Sequence, residues 1–281
     1  MLNTPIAGDP NGGSGQLTSG VAVNASVGYG NYNAGFVSLK MNNWHGLTLQ
    51  QNFTMSKALG TGAFVQATSE YTPDDPFNLQ EMYGPQGFDR KFVYNILAVY
   101  EVPFYKNQQG FLGHVLGGWN LSPIFTAGSG LPLYCNTNTD AQAFGSGDGS
   151  NFFDNEQCLQ VTPTNPGSAT VHNNGGSPNI FANPAASYAS FRAPILGVDG
   201  QDAGVGPIRG LPYWNLDMSL RKNIRISERF SAEFQFLCLN TLNHMQFSDP
   251  TLQMGSPSSW GQLSTQGNTP RQMEFGIRLK F

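Results

Sequence analysis

The C-terminal segment, residues 271–281, has the clearest pattern of hydrophobic and polar positions in the chain. Its apolar residues are Met273, Phe275, Ile277, Leu279 and Phe281, and they alternate with Gln272, Glu274, Gly276, Arg278 and Lys280. Because successive side chains of a β-strand point to opposite faces, this segment predicts a strand with one wholly apolar face and one polar face.

Six further segments have strand chemistry. They span residues 32–41, 45–57, 89–102, 111–127, 214–221 and 230–236. The second shows the alternation best, with Leu47, Leu49, Phe53 and Met55 set against Thr48, Gln50, Asn52 and Thr54. Residues 21–27 alternate more weakly among glycines and allow an eighth strand. The pattern therefore predicts an all-β fold of about seven or eight strands.

The connections between these segments alternate between short and long. The short ones are residues 42–44, 103–110 and 223–228, and the long ones are residues 58–88, 128–211 and 245–270. Bacterial barrels keep short turns on the periplasmic side and long loops outside. If Phe281 lies at the periplasm, every short turn falls inside and every long loop outside. We therefore predict part of an antiparallel transmembrane β-barrel, with lipid against its apolar face and water against its polar face.

Aromatic residues gather near the short-turn ends of the strands. They are Trp44, Tyr100, Phe104, Tyr105, Phe111, Phe230 and Phe281. Such a girdle is expected where rings sit at the depth of the lipid head groups, although aromatics also favour strand ends in soluble sheets.

Composition narrows the class of protein further. Only 11% of residues are charged, about half the usual share, and the net charge is −4. Nucleic acid is not an expected partner, because phosphate binding needs clustered basic residues. No apolar stretch is long enough for a membrane-spanning helix, so we expect strands to meet the membrane.

Short motifs occur in a fixed order along most of the chain. They are Asn31-Tyr32-Asn33, Thr54-Met55-Ser56-Lys57-Ala58-Leu59, Gly84-Pro85 with Phe88-Asp89-Arg90, Tyr100-Glu101-Val102-Pro103-Phe104, Gly117-Gly118-Trp119, Gly128-Ser129-Gly130-Leu131-Pro132, Asn240 with Asn243-His244 and Phe247, and Pro270-Arg271. Together they resemble the C-terminal barrel of Oar-like TonB-dependent transporters. Where that family commonly has Arg and Glu before the Asn, this chain has Gln235 and Leu237.

The resemblance implies a function and a set of partners. It implies TonB-driven uptake or export of a large, unidentified solute across the outer membrane of a Gram-negative bacterium. Residues 31–281 would form barrel wall, residues 1–30 would lead into it, and the extracellular loop at residues 128–211 would contact solute. The expected partners are outer-membrane lipid, the barrel-assembly machinery and, through a plug, TonB.

A family transporter also has a secretion signal, a plug and about twenty-two strands. The opening Met-Leu-Asn-Thr-Pro lacks the basic and apolar regions of a signal peptide. Seven strands also do not close a bacterial antiparallel barrel. We therefore expect this chain to be a C-terminal piece of a transporter that pairs with the remaining strands and is inactive in transport without them.

The terminal strand has a second implied role. Phe275, Ile277, Leu279 and Phe281 resemble the C-terminal signal that the barrel-assembly machinery reads in outer-membrane barrels. The same strand would pair with the first strand of a complete barrel, so its register matters for closure as well.

Cysteine positions predict one disulfide. Cys135 and Cys158 fall in one long loop that the predicted topology places in an oxidising compartment, which favours a bridge between them over two free thiols. Cys238 has the same parity as Phe234 and Phe236 and is expected to act as a small apolar residue.

Catalytic, cofactor and metal motifs are weak. His45, His114, His172 and His244 lack metal-ligand spacing and are expected in turns or strands. The Gly-Ser-Gly sequences lack the setting of a nucleophile elbow. Residues 145–151 with Asp154 and Glu156 could hold calcium, but their composition is that of an ordinary loop. We expect no enzyme, no cofactor and no metal site.

Two rival functions remain open at this stage. A secreted all-β carbohydrate-binding or adhesion domain would explain the loops, but its apolar faces would need a second sheet. An enzyme could pair inward carboxylates such as Asp217, Glu233 and Glu274 for glycoside hydrolysis.

Overall fold

The structure is a computed structural model that describes residues 26, 28–61, 80, 83–136, 158–162, 170–192, 208–227, 229–250 and 252–281. No helix within these ranges has the length and apolar character needed to cross a membrane. The weak eighth strand expected at residues 21–27 lies outside the described residues apart from Ser26.

Strands dominate the described residues. In chain order they are β1 (Gly30–Trp44), β2 (Leu47–Gly60), β3 (Gly84–Pro85), β4 (Phe92–Glu101), β5 (Trp119–Gly128), β6 (Pro132–Leu133), β7 (Cys135–Asn136), β8 (Leu159–Gln160), β9 (His172–Asn174), β10 (Ser177–Asn179), β11 (Phe191–Arg192), β12 (Ile208–Arg209), β13 (Tyr213–Arg225), β14 (Ser231–Leu239), β15 (Leu252–Gln253) and β16 (Gln272–Lys280). Two short helices, α1 (Gly110–Leu116) and α2 (Pro184–Ala189), accompany them.

The seven long strands form one antiparallel sheet in the order β1-β2-β4-β5-β13-β14-β16, with the short β3 beside β2. Each long strand thus pairs with the next one along the chain, as in an up-and-down meander. The all-β, antiparallel prediction is confirmed. Within the described residues, β1 pairs only with β2 and β16 only with β14, so the sheet has two open edges.

Strand register places apolar side chains in continuous rows on one side of the sheet, which we call the apolar face. Leu220, Phe236 and Phe275 form one such row across β13, β14 and β16. At the other edge, Met41 pairs with Leu49 and Leu49 with Ala98. Phe275 is 79% exposed, so this face has no protein cover there. An apolar surface of this kind requires apolar surroundings.

The opposite side, the polar face, carries amide and hydroxyl groups in register. One row consists of Ser38, Asn52, Asn95, Thr126 and Asn215. The Ser38 hydroxyl donates to Asn52 Oδ1 at 2.7 Å. Because each of these groups can donate or accept hydrogen bonds, the row gives this face a surface suited to water and polar solutes.

The fourth predicted strand is wrong over its first half. Residues 110–116 form α1, and β5 begins only at Trp119. Gly118 has a φ of +74°, which a glycine adopts readily and which separates the helix from the strand. The short connection predicted at residues 103–110 therefore extends to residue 118 and contains a helix. The apolar run could not distinguish the two structures, because short apolar runs suit both.

The first hairpin also differs from the prediction. The turn consists of His45 and Gly46, with φ of +50° and +88°, rather than residues 42–44. Two left-handed residues are typical of the tight turn that matches strand twist. A Cβ on Gly46 would collide with the carbonyl oxygen of Glu101, so glycine is required there. The irregular pairing between Met41 and Trp44 takes up the extra residues as a bulge.

The described parts of the two longest connections fold together at the long-loop end of the sheet. Their apolar residues form one cluster, the long-loop core, made of Leu133, Cys135, Cys158, Ile180, Phe181, Phe191, Ile208, Leu252, Trp260 and Leu263. Short strand pairs support it, including β12 with β6 and the parallel pair of β15 with β7. The core therefore joins the connection between β5 and β13 to the connection between β14 and β16.

Candidate functional site

Trp260 is the centre of the long-loop core. It is 1% exposed, and its ring lies 5.3 Å from Tyr188, 5.5 Å from Phe191 and 6.4 Å from Phe181. Its indole N–H donates to the Ser187 hydroxyl at 3.1 Å, so the buried donor is satisfied. These contacts make the connections a packed unit rather than independent loops.

A disulfide joins Cys135 to Cys158, with a Cα–Cα distance of 5.4 Å, as the sequence analysis expects. Both cysteines are buried in the long-loop core. Cys135 lies in β7, which pairs with β15, so the bridge also links residues 158–160 to the later connection. Cys238 is a free, buried cysteine that pairs with Met218 and Met273 on the apolar face.

An ion pair between the buried Asp89 carboxylate and the largely buried Arg209 guanidinium fastens the long-loop core to the sheet. Asp89 Oδ1 accepts a hydrogen bond from the Ala58 backbone N–H at 2.6 Å. The Arg209 guanidinium also donates to the carbonyl oxygens of Asp89, at 3.1 Å, and Gly130, at 3.3 Å. This cluster ties together the end of β2, the approach to β4 and the short strand β12.

Neighbouring groups extend this attachment. The Arg90 guanidinium lies 4.5 Å above the Tyr213 ring and donates to the Ser129 carbonyl oxygen. The Tyr134 hydroxyl donates to the Pro85 carbonyl oxygen at 3.1 Å. Burial raises the pKa of Tyr134 well above its usual value, with Asp89 acting in the same direction and Arg209 opposing it. Tyr134 therefore remains a neutral hydrogen-bond donor at physiological pH.

The base of the last long connection is a network of asparagines. Asn240 donates from its side chain to the carbonyl oxygens of His244 and Thr269, both at 3.0 Å, and its backbone N–H donates to Asp217 at 2.7 Å. Asn240 and Asn243 have φ of +49° and +50°. This is the left-handed region that asparagine tolerates better than most residues. The motif containing Asn240, Asn243 and His244 thus fixes the path of the chain as it leaves β14.

His244 has a further contact that the sequence does not indicate. Its ring stacks on Trp214 at 4.0 Å, with an angle of 20° between the planes. Its backbone N–H donates to Asn240, and its carbonyl oxygen accepts from Asn268, inside the connection. His45 lies in a turn and His172 in β9, but His114 lies in α1, so the expectation that it occupies a turn or strand is wrong.

Two adjoining hollows open beside the long-loop core and share Ser248 and Asp249. One, of about 250 Å³, also contacts Arg90, Leu131 and Leu211. The other, of about 260 Å³, is lined by hydroxyl, amide and carboxylate groups, namely Ser248, Asp249, Gln253, Ser259, Gln262, Ser264 and Thr265, together with Pro250. Burial raises the pKa of Asp249, and Arg90 opposes that shift. These linings can donate and accept hydrogen bonds to a polar solute.

The opposite end of the polar face is a charged concavity of about 540 Å³. Its charged residues are Glu101, Lys106, Arg221, Arg225, Arg229 and Glu233. Lys280 donates to Glu233 at 2.9 Å. The excess of basic groups gives the short-turn end of this face a positive charge.

The carboxylates of the enzyme hypothesis lie on three strands of the polar face. Asp217 accepts hydrogen bonds from Asn240 and, at 2.9 Å, from Asn215, while Glu233 pairs with Lys280. Both groups thus have structural partners. Within the described ranges, no three His, Cys, Asp or Glu side chains group closely enough to hold a metal ion. The calcium candidates at residues 145–151, Asp154 and Glu156 lie outside the described residues.

The terminal residues occupy the positions that the sequence pattern predicts. Phe275, Ile277, Leu279 and Phe281 are all exposed, and the first three lie in β16 on the apolar face. The Phe275 ring is 4.9 Å from Phe236 on the neighbouring strand. Their proposed reading by the assembly machinery remains a prediction.

Sequence reasoning predicted the Cys135–Cys158 bridge but missed the other residues that build the long-loop core and attach it to the sheet. From the sequence, Asp89 is named only as part of a motif and as the start of a predicted strand. Arg209 and Trp260 are not singled out. One signal could have found them: the long connections contain large apolar residues such as Phe181, Leu252 and Trp260. Solvated loops have no need of such residues, so their presence indicates a buried cluster.

A family model, described as outer membrane beta barrel domain, matches residues 4–274 of the chain. No curated protein matches the chain.

Proposed function

The chain belongs to the outer membrane β-barrel domain family, and from this premise we propose that it forms the pore wall and solute-capture surface of an Oar-like TonB-dependent transporter. The chain is located in the outer membrane of a Gram-negative bacterium. Its apolar face contacts lipid, its polar face lines the lumen, and its long connections lie outside the cell.

The main observation that supports this proposal is the attachment of the long-loop core to the sheet. A channel that merely passes water and ions has no need of a folded outer unit with its own disulfide and aromatic centre. A capture surface does need one, because binding groups must be held in a fixed arrangement to recognise a solute. The Asp89–Arg209 pair and the Trp260 cluster provide that rigidity.

The hollows at Asp249 are the proposed contact region for the solute. Their hydroxyl and amide lining favours a polar solute that exchanges hydrogen bonds, such as a peptide or a saccharide. The amide and hydroxyl row on the polar face would offer similar partners along the wall. The protein itself performs no covalent chemistry in this proposal and uses no cofactor.

The proposal also includes partners of the barrel wall. The remaining barrel strands would pair with the open edges of β1 and β16, a plug would fill the lumen, and TonB would act through that plug alone. The barrel-assembly machinery would insert the complete chain.

Sequencing the DNA upstream of the Met1 codon tests the transporter assignment. An in-frame plug and secretion signal are expected there. If the plug is present, a tagged product of the whole gene should cross-link to TonB in cells, and deletion of the plug should abolish the cross-link. An in-frame stop codon with no plug coded in the same operon would contradict the assignment.

Solute capture is tested separately on outer-membrane vesicles. A casein peptide digest and a maltodextrin ladder are each added before limited proteolysis of the long-loop core. We expect one of them to slow cleavage, and the Asp249→Ala and Gln262→Ala variants to lose that protection. Protection by neither mixture, or equal protection of both variants, would contradict capture at these hollows.

A further inference from the structure

Helix α1 presents an apolar surface beside the sheet. Phe111, Leu112, Val115 and Leu116 are all exposed, and Phe111 is 82% exposed. Residues four apart lie above one another on a helix, so the pairs 111/115 and 112/116 form one continuous stripe. Gly113 is the buried residue of the helix and faces the protein. The apolar stripe therefore points away from the molecule.

Contacts at the end of α1 fix the side of the sheet on which it lies. The Trp119 indole N–H donates to the Val115 carbonyl oxygen at 2.9 Å. The Lys222 ammonium donates to the carbonyl oxygens of Val115, at 3.1 Å, and Gly117. Trp119 and Lys222 pair with each other across β5 and β13, and Lys222 also pairs with Phe234 of the apolar face. Both side chains thus hold the helix from the lipid-facing side.

Lys222 is an unusual residue for that side. It is only 7% exposed, and its ammonium lies 5.0 Å from the centre of the Trp119 ring. A lysine in a lipid-facing row is costly unless its charge has partners. The carbonyl groups at the end of α1 supply them, because the C-terminus of a helix carries partial negative charge. Lys222 is therefore placed to hold α1 rather than to meet solvent.

A second attachment holds the other end of the helix. The Gln108 side chain donates to the Asn223 carbonyl oxygen at 2.7 Å and accepts from the Arg225 backbone N–H at 2.8 Å. Gln108 and Lys222 both connect the helix segment to β13, so α1 has little freedom to rotate its apolar stripe toward the protein.

We propose that α1, together with Phe104 and Tyr105, lies in the plane of the periplasmic leaflet and inserts its apolar stripe among phospholipids. The occupant of this surface is lipid, because the stripe continues the apolar face that already contacts the outer membrane. Phe104 and Tyr105 are exposed in the same connection and would add apolar area to this lipid contact. An in-plane helix of this kind buries its apolar side at the boundary of head groups and acyl chains. It would fix the depth of the barrel at its periplasmic rim.

Spin labelling tests the proposal on the full chain reconstituted in phosphatidylethanolamine and phosphatidylglycerol vesicles. In a Cys238→Ala background, a nitroxide is attached to Phe111→Cys, and its collision rates with oxygen and with a water-soluble nickel complex are measured. We expect the ratio of oxygen to nickel collisions to be several-fold higher at Phe111→Cys than at two control sites. One control is Val171→Cys, at the long-loop end of the molecule. The other is His114→Cys, which lies in α1 but outside its apolar stripe. Both side chains are exposed.

Equal ratios at Phe111→Cys and Val171→Cys would overturn the proposal, because α1 would then lie in periplasmic water. Equal and high ratios at Phe111→Cys and His114→Cys would also overturn it, since a helix surrounded by lipid on all sides is not an in-plane helix. Labelling an exposed side chain leaves the Lys222 and Gln108 attachments intact, so the measurement does not depend on a destabilised fold.

Discussion

At the scale of single residues, the structure separates buried charge pairs from exposed ones. The Asp89 side chain is 1% exposed in its pair with Arg209, whereas Lys280 is 50% exposed in its pair with Glu233. Both are direct ion pairs, but their energetic roles differ. A buried charge that loses its partner stays desolvated, while an exposed one is restored to water.

Asp89→Ala should therefore destabilise the attachment of the long-loop core by about 3–5 kcal/mol, because the Arg209 guanidinium is left without its carboxylate. The urea dependence of protease resistance in that core measures the effect. Glu233→Ala is the control and should cost less than about 1 kcal/mol. Similar costs for the two variants would mean that the buried pair does not hold the core.

The disulfide between Cys135 and Cys158 gives a second prediction. Its sequence separation is 23 residues, and closing a loop of that size restricts the unfolded chain by roughly 3 kcal/mol. Reduction, or the Cys135→Ser and Cys158→Ser double variant, should speed proteolysis of the long-loop core. Peptide mapping should find only Cys238 alkylated before reduction. Alkylation of all three thiols in unreduced protein would refute the pairing.

At the scale of secondary-structure elements, β16 combines sheet pairing with a candidate assembly signal. It pairs with β14 over its whole length and presents Phe275, Ile277 and Leu279 on the apolar face. Phe281 follows the strand and is 95% exposed. Such a terminal residue contributes little to packing, so any strong effect of deleting it must come from recognition during assembly.

Deletion of Phe281 should lower the yield of heat-modifiable, protease-resistant protein in outer membranes. The control must be an aromatic residue of a connection whose loss does not disturb packing. Phe181 is unsuitable, because it is buried and packs on Trp260. Phe88→Ser is a better control, since Phe88 is an exposed aromatic in the long connection between β2 and β4 and is not part of the aromatic girdle. Equal yields from the deletion and the control would show that the terminal aromatic is not read as a signal.

At the scale of the whole molecule, the two faces of the sheet set its environment. Neighbouring residues Glu274 and Phe275 of β16 lie on opposite faces. One faces the polar lumen and the other faces lipid. The same substitution at these two positions should therefore have very different costs.

Phe275→Arg should destabilise the protein in bilayers by about 2–4 kcal/mol if the middle of β16 lies near the bilayer centre. Glu274→Arg should change stability by no more than about 0.5 kcal/mol, because its side chain remains in the lumen. Urea unfolding in lipid vesicles, followed by tryptophan fluorescence, gives both values. A larger cost for Glu274→Arg would reverse the assignment of the faces.

The sequence by itself determined the approximate positions of the seven long strands and which of their residues share a face. Alternation is a local property, because each residue of a strand turns its side chain to the face opposite to that of its neighbour. Met273 to Phe281 therefore reveals its apolar stripe without knowledge of any partner strand. The sorting of connections by length also survives in the structure, although the short connection before β5 contains a helix. The disulfide could be inferred because two cysteines of one connection have few possible partners.

Only the tertiary structure decided the rest. Asp89 meets Arg209 across a separation of 120 residues, and the long-loop core gathers apolar residues from Leu133 to Leu263. Such contacts have no period along the chain, and they form only when the sheet has brought the ends of the connections together. The choice between helix and strand at residues 110–116 was equally non-local. It depends on two attachments to β13, the hydrogen bonds of Gln108 just before the helix and the bond of Lys222 to the Val115 carbonyl oxygen at its end. Strand β13 lies about a hundred residues further along the chain.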